Sequence, residues 1–336
     1  MANIAAKDVM ELRKKTGIGM MECKKALVEA EGDFDKAMKI LREKGLAVAA
    51  KKSDRIAAEG VVDILKSADG LTTAIVEVNS ETDFVANNAT FREFVAGILR
   101  TILSGKPANV EALLALPFDG TENTVDAEVK NKIFAIGENI TIRRFEIIEG
   151  VTGTYIHGNG SAGGIESKPE FAELAKNICM QITAMAPTYV CKTQVPQSVI
   201  DNEKEILLTQ IKNDPKSANK PDAIIAKMVE GRVSKFYDTA CLLEQQYVKD
   251  DDVKVGKYVE NTAKALGGEI KIVSFVSYER GEGLEKREDD FAPRSTSWSR
   301  ASKNGFGTQS GCEGTHKSVK AITRKGVAFS GDFLCE

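Results

Sequence analysis

Two short stretches of the 336-residue chain carry residue types that could do chemistry. In "YIHGNGSAGG", Gly158, Gly160 and Gly163 satisfy G-x-G-x-x-G behind a strand-like run. In a dinucleotide site such glycines let the backbone approach a pyrophosphate, and the third packs the start of a helix whose N-terminus holds the anion. Here the helix starts later: Ser167 and Glu170 have capping-box spacing with Pro169 in the first turn, so the helix dipole lies well beyond Gly163. No second strand ending in an acid follows about 20 residues on, where a ribose would be held. A Gly-rich turn is favoured, and a nucleotide-binding enzyme is the rival. His157, beside these glycines, has no nearby acidic orienter or nucleophile, which favours a structural or interface histidine over a general base.

The second stretch is "VEVNSETDFVANN", Val76 to Asn88. It begins as a strand and turns small and polar after Asn79, yet it holds Phe84 and Val85. Phe84 does not staple the next helix, because that position falls on Ala89. It stands between a strand end and a helix cap, where connections present side chains to partners. Beside Asp83 it would make an apolar wedge with a charge. The alternative is a ring folded back onto the core.

Composition removes several function classes. A net charge of −3 argues against the clustered Lys/Arg of a direct nucleic-acid interface. No apolar run of about 18 residues exists, so a membrane span is not expected. The amino terminus does not read as a secretory signal, and a cytoplasmic protein is expected. Cys23, Cys179, Cys191, Cys241, Cys312 and Cys335 form no C-x-x-C pair and read as reduced thiols. With two histidines, His157 and His316, ligands for a His/Cys metal site are too few, and neither metal nor cofactor is expected.

The elements that must position these residues predict an α+β fold. Residues 1–54 read as a three-helix bundle. Gly17 and Gly19 stop a first helix carrying Val9 and Leu12; Cys23, Ala26, Leu27 and Ala30 share one face, as do Phe34, Ala37, Met38 and Leu41. Asp33 is the expected N-cap of the third helix. Met20 and Met21 read as core residues, with an adaptable contact surface as the alternative. "AAKKSDR", Ala49 to Arg55, reads as the exit linker.

Residues 55–148 read as the first half of a core. A hairpin pairs Val61–Lys66 with Thr72–Asn79 across Asp69-Gly70. A helix follows with a Thr90/Glu93 capping box and Phe91, Phe94, Val95, Ile98 and Ile102 on one face. Residues 104–130 look looser, and "ENITIRRFEII" is a strand. Residues 149–194 and 241–280 form a second half that repeats the first. "EGVTGTY" from Glu149 echoes "EGVVDIL" from Glu59, and Phe171, Glu173, Leu174, Ile178 and Ile182 match Phe91, Glu93, Phe94, Ile98 and Ile102 in spacing. Glu59 to Phe91 spans 32 positions but Glu149 to Phe171 only 22, so the second copy lacks roughly the second hairpin strand.

Residues 195–240 predict two antiparallel helices joined by "NDPKSANKP", with Ile200, Leu207 and Ile211 facing Ile225, Met228, Val229 and Phe236. This projecting, coiled-coil-like hairpin is a candidate surface for a homodimer. "EIKIVSFVSYE", Glu269 to Glu279, is a last strand. After Ala292 the chain becomes rich in Ser and Gly and loses periodicity, and 293–336 reads as a disordered, atypical tail.

Four motifs in order resemble the bacterial elongation factor Ts family: "LRKKTGIGMMECKKALVEAEGDFDKAMKILREKG", "VEVNSETDFV", "GRVSKFYDTACLLEQQYVKD" and "GEGLEKREDDFA". The resemblance covers residues 1–292. It implies a ubiquitin-associated-like bundle at the amino terminus and a carboxyl-terminal module starting over 281–292. It also implies guanine nucleotide exchange on the translational GTPase elongation factor Tu, by binding rather than by an active site. The family's T-D-F-V segment falls on Thr82, Asp83, Phe84 and Val85, and disturbs the partner's Mg²⁺ so that GDP leaves. His157, Met20 and Met21 become candidate partner contacts. The chain departs from the family pattern twice: "SAGGIESKPEF" omits a hydrophobic strand after "HGNG", and the Ser/Gly-rich tail replaces a short helical end.

Overall fold

The computed structural model describes residues 4–150, 152–156, 162–163, 169–214, 220–285 and 325–335, with 162–163 and 325–335 described as backbone alone. The architecture is α+β: helices packed on small antiparallel sheets.

Helices α1 (Ala6–Thr16), α2 (Met20–Glu29) and α3 (Phe34–Lys52) bury Val9, Leu12, Cys23, Ala26, Leu27, Ala37 and Leu41 together. The sequence periodicity placed these residues inside because helical positions three and four apart share a face. Asp33 caps α3 by accepting from the Lys36 amide at 3.0 Å. Met20 and Met21 are 50% and 66% exposed, so they are surface residues rather than core. α3 runs through Ala49–Lys52, which shortens the expected linker; Ala and Lys are strong helix formers and no Gly or Pro intervenes there.

β1 (Glu59–Lys66), β2 (Thr72–Ser80) and β3 (Ile140–Glu149) form a sheet in the order β1-β2-β3. As the central strand, β2 is buried at every residue. One face packs on α5 (Ala89–Gly105) through Phe91, Phe94, Val95, Ile98 and Ile102. The cap of α5 is Asn88, which accepts from the Thr90 amide at 2.8 Å, and not Thr90; Glu93 pairs instead with Arg100 at 2.8 Å. The stretch expected to be loose contains α6 (Val110–Ala115) and α7 (Val125–Ile136), capped by Asn109 and Thr124. A helix as short as α6 presents too few turns for periodicity to register.

The chain continues with β4 (Thr152–Ile156), β5 (Ala162–Gly163), α8 (Pro169–Met185), a small β6/β7 ribbon (Gln246–Tyr247 and Asp250–Lys254), α11 (Val255–Leu266) and β8 (Gly268–Glu279). Phe171, Leu174, Ile178 and Ile182 of α8 bury against Val255, Val259 and Ala263 of α11 and Ile270 and Ile272 of β8. Between the halves of this layer, α9 (Gln197–Asn213) and α10 (Asp222–Ala240) form the expected hairpin around Leu207, Ile211, Ile225, Val229 and Val233. A bridge between Tyr189 and Cys241 closes its base.

The expectation of disorder over 293–336 fails at its end. Residues Lys325–Cys335 form β9, and the second sheet runs β5-β4-β9-β8. Averaged composition hid "VAFSGDF", in which Val327, Phe329, Gly331 and Phe333 share one row of a period-two pattern. Residues 286–324 lie outside the described residues, as do His157, Gly158, Gly160 and Ser167.

The first sheet is joined through charge to the segment that follows β8. The fully buried Glu77 of β2 accepts from Arg143 at 3.1 Å, Arg144 at 2.7 Å, Asn79 at 3.2 Å and the Gly281 amide at 2.9 Å. Gly281 has φ +68, and a Cβ there would meet the Ala58 carbonyl oxygen, so the close approach requires glycine. Lys66 of β1 donates to the Thr152 carbonyl of β4 at 2.6 Å, and the Thr73 and Thr152 hydroxyls are hydrogen-bonded.

Candidate partner-binding site

The segment after β2 is a rigid turn with an exposed tip. Thr82 is the N-cap of α4 (Asp83–Asn87), its hydroxyl accepting from the Val85 amide at 3.4 Å. The same hydroxyl donates to Glu138 Oε1 at 2.7 Å, and the Thr82 amide donates to Glu138 Oε2 at 3.0 Å. Glu81 accepts from the Asn139 amide at 2.6 Å, and Ser80 Oγ donates to the Thr82 carbonyl at 3.0 Å. The amino-terminal side of the turn is therefore tied, through Glu81 and Thr82, to the loop between α7 and β3. Charge-assisted bonds of this kind are stronger than neutral ones, so the turn is positioned before any partner arrives.

Within this frame the four residues divide. Val85 and the following Ala86 are buried in the first-half core, while Asp83 is exposed. Phe84 is 83% exposed, the most exposed large apolar side chain among the described residues. The ring does not fold back onto the core, because Val85 and Ala86 already take the inward side of this short helix. Phe84 stands at a cleft of about 400 Å³ that also includes Thr16, Gly17, Glu128, Lys132 and Ile136. The N-terminal bundle and α7 thus flank the tip. Met20 and Met21 begin the helix just after the Gly17 turn.

Sequence reasoning missed Glu138 and Glu81, the acids that fix Thr82. Their only signal was a carboxylate beside a glycine and a strand end, which has no periodic signature. It also missed Glu77, an acid inside a strand that reads as a hydrophobic run. His157 lies outside the described residues, so its place relative to Phe84 stays an expectation.

Of the rival glycine motif only Gly163 lies among the described residues. Gly163 pairs in a strand with Thr154, and α8 begins at Pro169, so the third glycine does not open the helix. Among the described residues no cluster of three or more His, Cys, Asp or Glu side chains is placed to hold a metal, and no helix is long and apolar enough to cross a membrane.

Comparison with known proteins decides the family. The family model described as "Elongation factor TS" matches residues 81–282. The chain belongs to the elongation factor Ts family. Elongation factor Ts of Syntrophotalea carbinolica is 47% identical over 299 residues, covering 86% of this chain and 97% of that protein. Elongation factor Ts of Clostridium botulinum (strain Alaska E43 / Type E3) is 46% identical over 299 residues, with the same coverage. Elongation factor Ts of Clostridium perfringens (strain SM101 / Type A) is 45% identical over 298 residues, again covering 86% and 97%. Membership places the chain among translation elongation factors. The elongation factor Ts match begins one residue before Thr82 and ends at Glu282, so β9 lies beyond it.

Proposed function

We propose that this chain binds the GDP-bound form of elongation factor Tu and promotes GDP release, so that GTP can rebind. It acts by protein binding and has no active site of its own. The observation that carries the reading is Phe84, displayed on a turn whose neighbours are anchored. The tip formed by Thr82, Asp83, Phe84 and Val85 presses toward the partner's nucleotide site and disturbs its Mg²⁺. That ion is the largest local positive charge on the phosphates, so displacing it weakens GDP binding without a covalent step.

Magnitudes set the share of each part. Burying one phenylalanine contributes roughly 1.5–3 kcal/mol. At about 1.4 kcal/mol per tenfold in rate, Phe84 supplies one or two decades of acceleration. A larger effect needs a broad interface. The exposed Met20 and Met21 of a ubiquitin-associated-like bundle extend it, and His157 is a further candidate contact. The core itself is a duplicated strand–helix unit, supported by the matched buried positions in α5 and α8. A cytoplasmic location follows from the role in translation. Coupling is reciprocal, so the stable complex is the nucleotide-free one.

Release of fluorescent GDP from elongation factor Tu, with and without this chain and across a Mg²⁺ series, tests the reading. Acceleration that shrinks as Mg²⁺ rises is expected. Unchanged release with tight GDP, ATP or NAD binding by the chain itself would favour the nucleotide-enzyme rival.

A further inference from the structure

We infer that the groove between β4 and β8 is a strand-binding site, and that its occupant is the chain's own carboxyl-terminal segment, Lys325–Cys335. This inference is independent of nucleotide exchange.

Four observations carry it. First, β9 is the only hydrogen-bonded strand partner of β8 among the described residues; β4 and β8 do not pair with each other. Without β9 the twelve residues of β8 would present two open edges, and a lone strand is not stable in water. Second, β9 sits between β4 and β8 as β2 sits between β1 and β3. That central place is the one the sequence leaves empty, because the second copy is ten residues short between its first strand and its helix. Third, pairing is antiparallel on both sides and long. β8 pairs from Gly268 opposite Cys335 to Glu279 opposite Lys325, with one register shift between Ile272 and Ser274, and β4 pairs from Thr152 opposite Ser330 to Ile156 opposite Gly326.

Fourth, the register matches the chemistry of the rows. Phe333 is opposite Ile270, and Phe329 is opposite Phe275 and Gly153, in the row shared with the residues that pack on α8 and α11. Ala328 is opposite Val276 and Thr154, in the row of Tyr278, which is buried against Val62 and Ile75 of the first sheet. Asp332 holds the register position opposite Lys271. A one-residue slip would exchange the two rows, which is why a strand with one aromatic row has a defined register. The ligand class of the groove is thus an extended peptide with two aromatic residues four positions apart in one row and small residues between them, bound by β-augmentation.

Hydrogen exchange on the full-length chain tests this directly. Amides of residues 326–334 should exchange at least about a hundredfold more slowly than in the free peptide of the same sequence. Phe329→Pro removes a backbone donor from a central strand and should abolish protection across 270–279 while leaving β1, β2 and β3 protected. The second measurement does not depend on a folding defect. With Cys312 and Cys335 replaced by serine, the pair Val276→Cys and Ala328→Cys should form an intrachain disulfide under mild oxidation, and the off-register pair Val276→Cys and Asp332→Cys should not. Rapid exchange at 326–334 beside a protected β8, or equal cross-linking by both pairs, would overturn the assignment. A cross-linked dimer would also overturn it, since the strand would then belong to a second copy.

Discussion

The two sheets of this molecule have the same central place and fill it in different ways. In the first sheet β2 follows β1 through the short Ser67–Leu71 turn, and the two strands pair along their whole length. In the second, the strand beside β4 comes from the far end of the chain. A local hairpin closes a short loop, whereas β9 must close a very long one, and loop-closure entropy rises only slowly with length. The long route is therefore tolerable in equilibrium stability but slow to form, because non-local pairings set the pace of folding. The chain places its exposed Phe84 on the locally closed half. The tip's supports, Glu81 and Glu138, belong to that half as well. The surface proposed for the partner is thus held by the half that assembles from neighbouring segments.

Matched substitutions would break or sharpen this comparison. The largest effect is expected at equivalent helix positions. Phe91→Ala in α5 should cost about 4 kcal/mol, and Phe171→Ala in α8 about 3 kcal/mol, since Phe91 is fully enclosed and Phe171 slightly exposed. Urea unfolding should show the first as loss of the whole structure and the second as a separate, earlier transition. A single shared transition for both would mean that the halves fold as one unit. Next, Glu77→Ala leaves Arg143 and Arg144 without their buried acceptor. Both arginines keep some contact with water, so the loss should sit near the low end for a broken buried pair, about 3 kcal/mol. Gly281→Ala should cost about 2 kcal/mol, because a left-handed φ and the nearby Ala58 carbonyl both oppose a side chain. Thermal melting of these two variants should weaken the join between the halves and leave the N-terminal bundle helical. The smallest effect is Asn88→Ala, which removes the cap between α4 and α5 and should lower stability by about 1 kcal/mol.

Much of this was legible in the sequence, and the reason differs by element. The helices of the bundle, α5, α8 and the α9–α10 hairpin are long enough for their buried faces to repeat, so Leu27, Phe91, Ile178 and Ile211 were placed inside by spacing alone. The tip was legible because an aromatic in a polar connection is a conflict between local composition and burial. What escaped depended on distant partners. Glu138 meets Thr82 only after β3 is in place, and Glu77 is tolerated in a buried strand only because Arg143, Arg144 and the Gly281 amide converge on it. The gap between Glu149 and Phe171 was visible from the shortened spacing. Its occupant was not, because a strand is defined by the edges it joins and "VAFSGDF" lies far along the chain from both. Met20 and Met21 were read as core because apolar residues in a small bundle usually are; their exposure is a tertiary fact.

The measurement that bears most directly on the exchange reading is GDP release from elongation factor Tu by the Phe84→Ala variant beside the unaltered chain. Because Phe84 is exposed, the substitution should leave the unfolding midpoint almost unchanged. The account predicts that the accelerated release rate falls by about ten- to a hundredfold. Release as fast as with the unaltered chain would contradict it and remove Phe84 from the mechanism.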